Sequence, residues 1–250
     1  MRRVTVVLSK NSRALLLRRF GLFFLAVLIL AVLTVSAFAV GAIRGEKTAD
    51  ATPEQSGKTV IIDAGHGGFD GGAVVNGVTE KDINLISANR LSDMLRAAGF
   101  RVITTRTDDT STESDPSATV SARKRSDLAN RLAVAKQNPD AILVSIHLNK
   151  FSSASAKGAQ MFCAPKIEGS EVLAEAIRAN VVSLLQKDNT RSVKKGTRDT
   201  YLLYYSPIPA VIVECRFMSN PTELAQLRDD HYQTQMAFAV FCGILQYYNE

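Results

Sequence analysis

The sequence predicts an α/β domain, a mostly parallel twisted sheet with helices on both faces, preceded by one N-terminal transmembrane helix. Three observations carry that prediction. An uncharged apolar stretch fills residues 20–43, and from Lys58 onward short runs of β-formers alternate with longer amphipathic stretches, the pattern of strands joined by crossover helices. Three of the short runs end in side chains that can bind a metal or move a proton. Val60-Ile61-Ile62-Asp63-Ala64-Gly65 leads to His66, Ile142-Leu143-Val144-Ser145-Ile146 to His147, and Val211-Ile212-Val213 to Glu214. Open α/β sheets bind ligands just outside the carboxyl ends of their strands, so the three residues point to one site.

Residues 1–19 form a basic leader with Arg2, Arg3, Lys10, Arg13, Arg18 and Arg19 and no acid. As a helix, residues 20–43 would span about 36 Å, enough to cross a bilayer with some tilt. The positive flank precedes this stretch, which keeps the N-terminus in the cytoplasm and places the rest of the chain outside. The alternative is a signal peptide cleaved near Ala37-Phe38-Ala39, leaving a secreted protein. The apolar stretch is longer than a usual signal-peptide core, which favours a retained anchor. Residues 44–57 are small and polar and read as a linker with a root-mean-square reach of roughly 20 Å. The globular domain is residues 58–250.

Within that domain Thr59–Asp63 reads as a buried strand followed by a Gly-rich loop. A helix starts near Thr79, whose spacing to Asp82 resembles a capping box. It presents Ile83, Leu91, Met94, Leu95 and Ala98 on one face and stops at Gly99. A second strand covers residues 100–105, and the Asp/Ser/Thr-rich stretch 108–117 is a surface loop on the rim of a cleft. A helix over 120–136 stops before Pro139, and 141–146 is a third strand. A strand at 158–163, a helix over 170–186, the strand ending at Glu214 and a helix over 232–248 complete the domain.

The leader accounts for the whole net charge of +6, because the remainder carries 24 basic and 24 acidic residues. Nothing in that balance argues for a nucleic-acid partner. Cys163, Cys215 and Cys242 are too few and too widely spaced for a disulfide framework or zinc ribbon, and burial as small apolar residues is expected.

The loop Gly65-His66-Gly67-Gly68-Phe69-Asp70-Gly71-Gly72 follows a strand, as a nucleotide cradle would. Asp70 stands where the last glycine of the dinucleotide fingerprint belongs, and no Gly-Lys-Ser/Thr marks a phosphate loop. Glycines beside a histidine instead leave room for a ligand next to the imidazole. His66, His147 and Glu80, which opens the helix after this loop, make a three-ligand zinc set with a fourth position free for water and substrate. Each has a plainer reading: a buried imidazole satisfied by hydrogen bonds, or an acid favoured by the helix dipole. Glu214 supplies a proton-transfer group, or else pairs with Arg216. His231 reads as a surface or capping residue. Arg106 and Arg123 read as solvated or ion-paired, with binding of acidic substrate groups as the alternative. Ser145 and Ser219 lack the nucleophile elbow of a serine hydrolase.

Several segments together carry a resemblance. They are Asp63 to Gly68 with Asp70, Gly72 and Ala73; Glu80-Lys81-Asp82; Ser145-Ile146-His147-Leu148-Asn149; and Val213-Glu214 with Phe217, Ser219 and Asn220. They resemble the zinc-dependent N-acetylmuramoyl-L-alanine amidases over nearly all of 58–250. Thr105-Arg106 with Asp108, the Arg123 to Asn130 helix and Ile208-Pro209-Ala210 add to the likeness. The single apolar segment, the lack of a wall-binding repeat and Glu214-Cys215 are most like the germination-specific CwlD type of sporulating bacteria.

The resemblance implies zinc on His66, Glu80 and His147, Glu214 as catalytic acid/base, and peptidoglycan as substrate. The reaction it implies removes the stem peptide from N-acetylmuramic acid, in the germination type as a first step towards muramic-δ-lactam in the spore cortex. An activating protein partner is left open. The family usually has glycine two residues after the catalytic Glu, where this chain has Arg216, expected to lower the Glu214 pKa and to fill substrate space. Two other readings stay open: a catalytically weak wall-binding or regulatory protein of the same fold, and a different zinc hydrolase such as a peptidase.

Overall fold

The computed structural model describes residues 57–249. The expected leader, the expected anchor and all of the expected linker except Gly57 lie outside the described residues; among the described residues no helix is long and apolar enough to cross a membrane. Six strands form the main sheet: β1 (Thr59–Ala64), β4 (Arg101–Thr104), β5 (Ala141–Asn149), β6 (Gln160–Cys163), β7 (Lys194–Lys195) and β8 (Ala210–Phe217). Their order is β4-β1-β5-β8-β6-β7, and a separate hairpin pairs β2 (Val74–Val75) with β3 (Val78–Thr79). The helices are α1 (Glu80–Ala97), α2 (Val120–Lys136), α3 (Ser170–Leu184), α4 (Tyr201–Tyr205), α5 (Pro221–Leu227) and α6 (Asp230–Asn249).

The sheet is mixed: β6 runs antiparallel to β8, while β4, β1, β5 and β8 are mutually parallel. A parallel partner requires a crossover, usually a helix. The segment between Asn149 and Gln160 holds no helix, so the chain returns in the opposite sense. Alternation along the strands feeds two cores. Val60, Ile62, Val211 and Val213 pack with Leu91, Leu173, Ile177 and Val240 on the face covered by α1, α3 and α6. Ile61, Leu143 and Ile212 pack with Leu132 and Leu203 on the face covered by α2 and α4. Helices on both faces are therefore observed.

Local signals decide the helix ends. At the end of α1, Phe100 N donates to Leu95 O and Gly99 N to Arg96 O, both at 3.0 Å, with Gly99 at φ 86°. This is the paired-bond C-cap that glycine favours. Ile83, Leu91 and Leu95 are buried as expected, whereas Ala98 falls in the cap and is exposed. The capping box does not form. Thr79 is the N-cap, but its hydroxyl donates to the Asp82 carboxylate, so the first N–H groups turn elsewhere: Glu80 N to Ala73 O (2.9 Å) and Lys81 N to Gly71 O (3.2 Å). The β2–β3 hairpin holds those carbonyls in place. Its turn is Asn76-Gly77, at φ 50° and 77°, which is the dipeptide that left-handed two-residue turns select.

A buried charge cluster joins the sheet to α2. Asp63 is enclosed and accepts from Arg131 Nη1 (2.7 Å), Thr105 Oγ1 (2.7 Å) and the Ser145 hydroxyl. Arg131, only 2% exposed, also donates from Nε to Asp127 (2.8 Å). Burial pushes the Asp63 pKa up, but the Arg131 charge and the two hydroxyl donors outweigh it and hold it at about 2. The folded pKa lies below the unfolded one. Stability from Asp63 is thus complete above about pH 5 and is lost as pH falls through the folded value, a contribution of roughly 2 kcal/mol. Arg131→Met leaves Asp63 and Asp127 buried without their cation and is expected to cost about 3–5 kcal/mol in chemical denaturation at pH 7. An Arg131→Met domain as stable as wild type would contradict this account.

Candidate metal centre

β1 stops at Ala64, and Gly65 then brings the chain across the top of β5, where Gly65 N donates to Ile146 O at 3.0 Å. A Cβ at Gly65 would lie 2.3 Å from the His147 ring, so only glycine passes here. His66 follows in the left-handed region at φ 61°, an uncommon conformation for a residue with a side chain. Asp70 Oδ2 takes its Nδ1 at 2.9 Å, leaving Nε2 3.3 Å from Glu80 Oε1. Lys124 Nζ in turn holds Asp70 Oδ1 at 3.0 Å.

Glu80 is the first residue of α1 and is buried. Its Oε2 accepts from Ala73 N (2.9 Å), and its Oε1 from Leu148 N (3.1 Å), so the carboxylate is oriented by backbone on both sides. His147 Nδ1 approaches the same Oε1 at 3.1 Å. One ligand atom from each of His66, Glu80 and His147 thus lies within 4.8 Å of the others, with the imidazoles nearly perpendicular, 5.0 Å apart at 75°. Gly72, at φ 66°, completes the cradle, since a Cβ there would stand 2.7 Å from both Glu80 Oε2 and the His66 ring.

The electrostatics favour a cation at this point. Burial pushes the His66 pKa down, but its hydrogen bonds to the Asp70 and Glu80 carboxylates, with their charges, overcome it and raise it to about 9. Glu80 is held far below the usual carboxylate range because the two imidazoles outweigh the cost of its burial. A site that retains a proton so strongly offers the same negative potential to a metal ion. Two imidazoles and one carboxylate are a common zinc donor set, and Asp70 behind His66 is the carboxylate support that such histidines usually have. A cavity of about 230 Å³ opens beside His66 and His147, walled by Lys124, Leu128 and Leu202 from α2 and α4.

Glu214 pairs with His147 across β5 and β8. Neither of its oxygens has a hydrogen-bond partner among the described residues, and Oε2 is buried. Burial raises its pKa, with the Glu80 charge adding to the rise and the two histidines opposing it. The lowering expected from Arg216 is not found, nor is a Glu214–Arg216 ion pair. Between His147 and Asn149 the register shifts, so that Glu214 and Phe217 face them and β8 carries an extra residue. Such a bulge re-aims side chains. Arg216 Nη1 pairs with Glu223, its Nε donates to the Tyr232 hydroxyl, and its guanidinium stacks over the Tyr232 ring at 4.8 Å.

The remaining candidates divide. Arg106 is not a surface residue: it is 5% exposed and donates to Ala64 O (2.9 Å), Gly65 O (3.1 Å), Lys81 O (2.8 Å) and Asp108 O (2.9 Å). Arg123 is ion-paired, with Nη2 at 2.7 Å from Glu113, and stacks 3.8 Å over Phe69. His231 is exposed at the start of α6. Ser145 serves Asp63, and Ser219 Oγ accepts from Phe151 N at 3.1 Å. All three cysteines are free; Cys163 and Cys215 are buried and Cys242 is half-buried. The rim loop does reach the site: Asp109 accepts from Gly68 N (2.9 Å) and Lys81 Nζ (2.7 Å). Arg131 escaped notice as a site residue, although its Nη2 holds His66 O at 2.7 Å. Its place on the predicted 120–136 helix, four residues from Asp127, was the available signal.

The model of the family described as N-acetylmuramoyl-L-alanine amidase matches residues 60–246. The germination-specific N-acetylmuramoyl-L-alanine amidase of Bacillus subtilis (strain 168) is 36% identical over 195 residues, covering 78% of this chain and 81% of the relative. Among solved structures, the CwlD amidase from Clostridioides difficile, in complex with the GerS lipoprotein, is 37% identical with a TM-score of 0.73, covering 77% of this chain and 98% of that one. An N-acetylmuramoyl-L-alanine amidase from Clostridium difficile 630 is 31% identical with a TM-score of 0.66, over 77% and 97%. Extent, identity and fold agree, and the chain belongs to the N-acetylmuramoyl-L-alanine amidase family.

Proposed function

We propose that this amidase is zinc-dependent and acts outside the cytoplasmic membrane, cleaving the amide between the lactyl group of N-acetylmuramic acid and L-alanine in peptidoglycan. Hydrolysis of that bond follows from the family and from its similar relatives. The observation that carries the metal reading is the convergence of His66, Glu80 and His147 beside an unpartnered Glu214. The basic leader and apolar stretch 20–43 support an anchored enzyme whose linker keeps it close to the membrane. The relative named as germination-specific supports the spore cortex as the wall acted on, and the CwlD complex with GerS supports a lipoprotein-type partner.

His66, Glu80 and His147 would hold the zinc, which would supply Lewis acidity toward the scissile carbonyl and toward water. The chain's own groups do the rest. Asp70 keeps the His66 ring turned so that Nε2 faces Glu80. Glu214 accepts the proton of the attacking water and returns it to the leaving L-alanine nitrogen, a role for which a carboxylate raised by burial is suited. Leu128 and Leu202 exclude water from one wall of the cavity.

Three outcomes are expected. The purified full chain should carry one zinc and lose hydrolysis on chelation, and His147→Ala should abolish metal binding; activity that survives in metal-free protein would refute the zinc reading. Mass spectrometry should find cleavage at the sugar junction, whereas products cut within the stem would make this a peptidase. Glu214→Gln should retain zinc while kcat falls by about 10²–10⁴. Loss of zinc in that variant would make Glu214 a ligand instead.

Arg216→Gly tests whether the arginine brakes turnover. It leaves Glu223 buried without its cation and should lower stability by about 2–4 kcal/mol with no gain in kcat. A large gain in hydrolysis would instead favour the weakly active reading.

A further inference from the structure

The short helix α4 carries the sequence Tyr201-Leu202-Leu203-Tyr204-Tyr205. Leu202 and Leu203 are buried in the core that the sheet shares with α2, so helical spacing turns the tyrosines toward the surface. The Tyr201 and Tyr205 rings meet at 4.8 Å, and the Tyr204 and Tyr205 rings at 5.0 Å and 80°. Tyr201 is half-buried against the core. Tyr204 is engaged as well, with Lys166 Nζ 3.6 Å over its ring and Arg198 Nε donating to its hydroxyl at 3.4 Å. Tyr205 differs from both. It is 49% exposed and braced by the two neighbouring rings, and its hydroxyl has no partner among the described residues.

This ring stands beside the cavity of the candidate metal centre. Leu202 lines that cavity together with His66 and His147. Tyr205 follows Leu202 by three residues on the same helix, which sets their Cβ atoms about 5–6 Å apart. A ligand that reaches from the two histidines to Leu202 is therefore within one helical turn of Tyr205.

An aromatic face with a hydroxyl at its rim, already held in place, suits a ligand that is apolar on one face and edged with hydroxyls. A pyranose ring has that form. The acyl side of the scissile amide carries one, because the lactyl group hangs from N-acetylmuramic acid, and the short lactyl ether keeps that sugar close to the cavity. A single ring offers on the order of 200 Å², far below the roughly 800 Å² per partner of a stable protein interface. A docked protein is thus the poorer fit. We propose that Tyr205 is a stacking platform for a sugar ring of the glycan strand, with Tyr201 and Tyr204 fixing its orientation. The proposal rests on the amidase reading and adds a glycan-binding residue to it.

The test uses the zinc-loaded full chain and its Tyr205→Ala and Tyr205→Phe variants. Three probes are compared: glycan strands stripped of their stems, with binding read by titration calorimetry; a muramoyl peptide; and the same peptide on a lactyl group without the sugar. Tyr205→Ala should weaken glycan binding and raise KM for the muramoyl peptide, each about tenfold, with kcat held. Tyr205→Phe keeps the ring and should recover most of both losses. On the sugar-free peptide, variant and wild type should agree. Stripped strands that bind neither form, or both equally, overturn the platform. An equal rise in KM on the sugar-free peptide overturns it too, since Tyr205 would then be a general support of the cavity wall. A wild type that binds the strands through Tyr205 yet leaves the muramoyl peptide uncut at the sugar junction would refute the amidase reading while the sugar contact stands.

Discussion

Three consecutive backbone carbonyls at the end of β1 impose the constraint on which the candidate metal centre depends. Ala64, Gly65 and His66 leave the sheet ladder as the chain turns across β5, and their oxygens must find donors inside the protein. Two buried arginines provide them. Arg106 reaches Ala64 and Gly65 from one side, while Arg131 reaches Ala64 and His66 from the other. This arrangement holds His66 at a positive φ that a side chain would ordinarily avoid, a strain of order 1–3 kcal/mol that the surrounding bonds must offset. It also places two guanidinium groups close together. Burial and the neighbouring Arg131 charge both lower the Arg106 pKa, and the anions Asp63 and Asp127 make the pairing tolerable.

From that turn the rest of the centre follows by contact. With His66 held in place, Gly72 must lack a side chain and Glu80 must enter from the first turn of α1. The helix start is itself set by Ala73 and Gly71 carbonyls, which the Asn76-Gly77 hairpin presents to its N–H groups. Glu80 therefore owes its position to the hairpin and to Leu148 N more than to its own helix. A dipole effect at the N-terminus is present, but it does not explain why one oxygen faces two imidazoles.

How far the fold could be read beforehand depended on where the determining interactions lie. Strand and helix periodicity placed α2 at 120–136 and the end of α1 at Gly99, because local packing and a glycine cap determine them. The direction of β6 was missed, although the helix-free connection from Asn149 to Gln160 already argued against a parallel strand. The Asn-Gly turn was an equally available signal for the hairpin. Short helices α4 and α5 were beyond periodicity, being little longer than a turn or two. At the site, His66, Glu80, His147 and Glu214 were legible from strand ends and a helix start. Arg106 and Arg131 were not, since the groups they hold at the turn, the Ala64, Gly65 and His66 carbonyls and Asp63, lie 41 to 68 residues away from them. Only folding brings those groups together.

The contrast between Glu214 and its acidic neighbours shows what the environment selects. Asp63, Asp127 and Glu223 each have an arginine, and Glu80 has two imidazoles and two backbone donors. Glu214 has none of these, and the nearest arginine in sequence is drawn off by Glu223 and Tyr232 through the bulge in β8. Had Arg216 paired with Glu214, the carboxylate would have been held ionised and oriented but made a poorer proton acceptor. A buried carboxylate without donors is costly for folding, yet it is the form best able to take a proton from water and give it to an amine. In the role proposed for Glu214, Glu223 would bear on the chemistry without touching it: by engaging Arg216, it leaves Glu214 unpaired beside the two histidines.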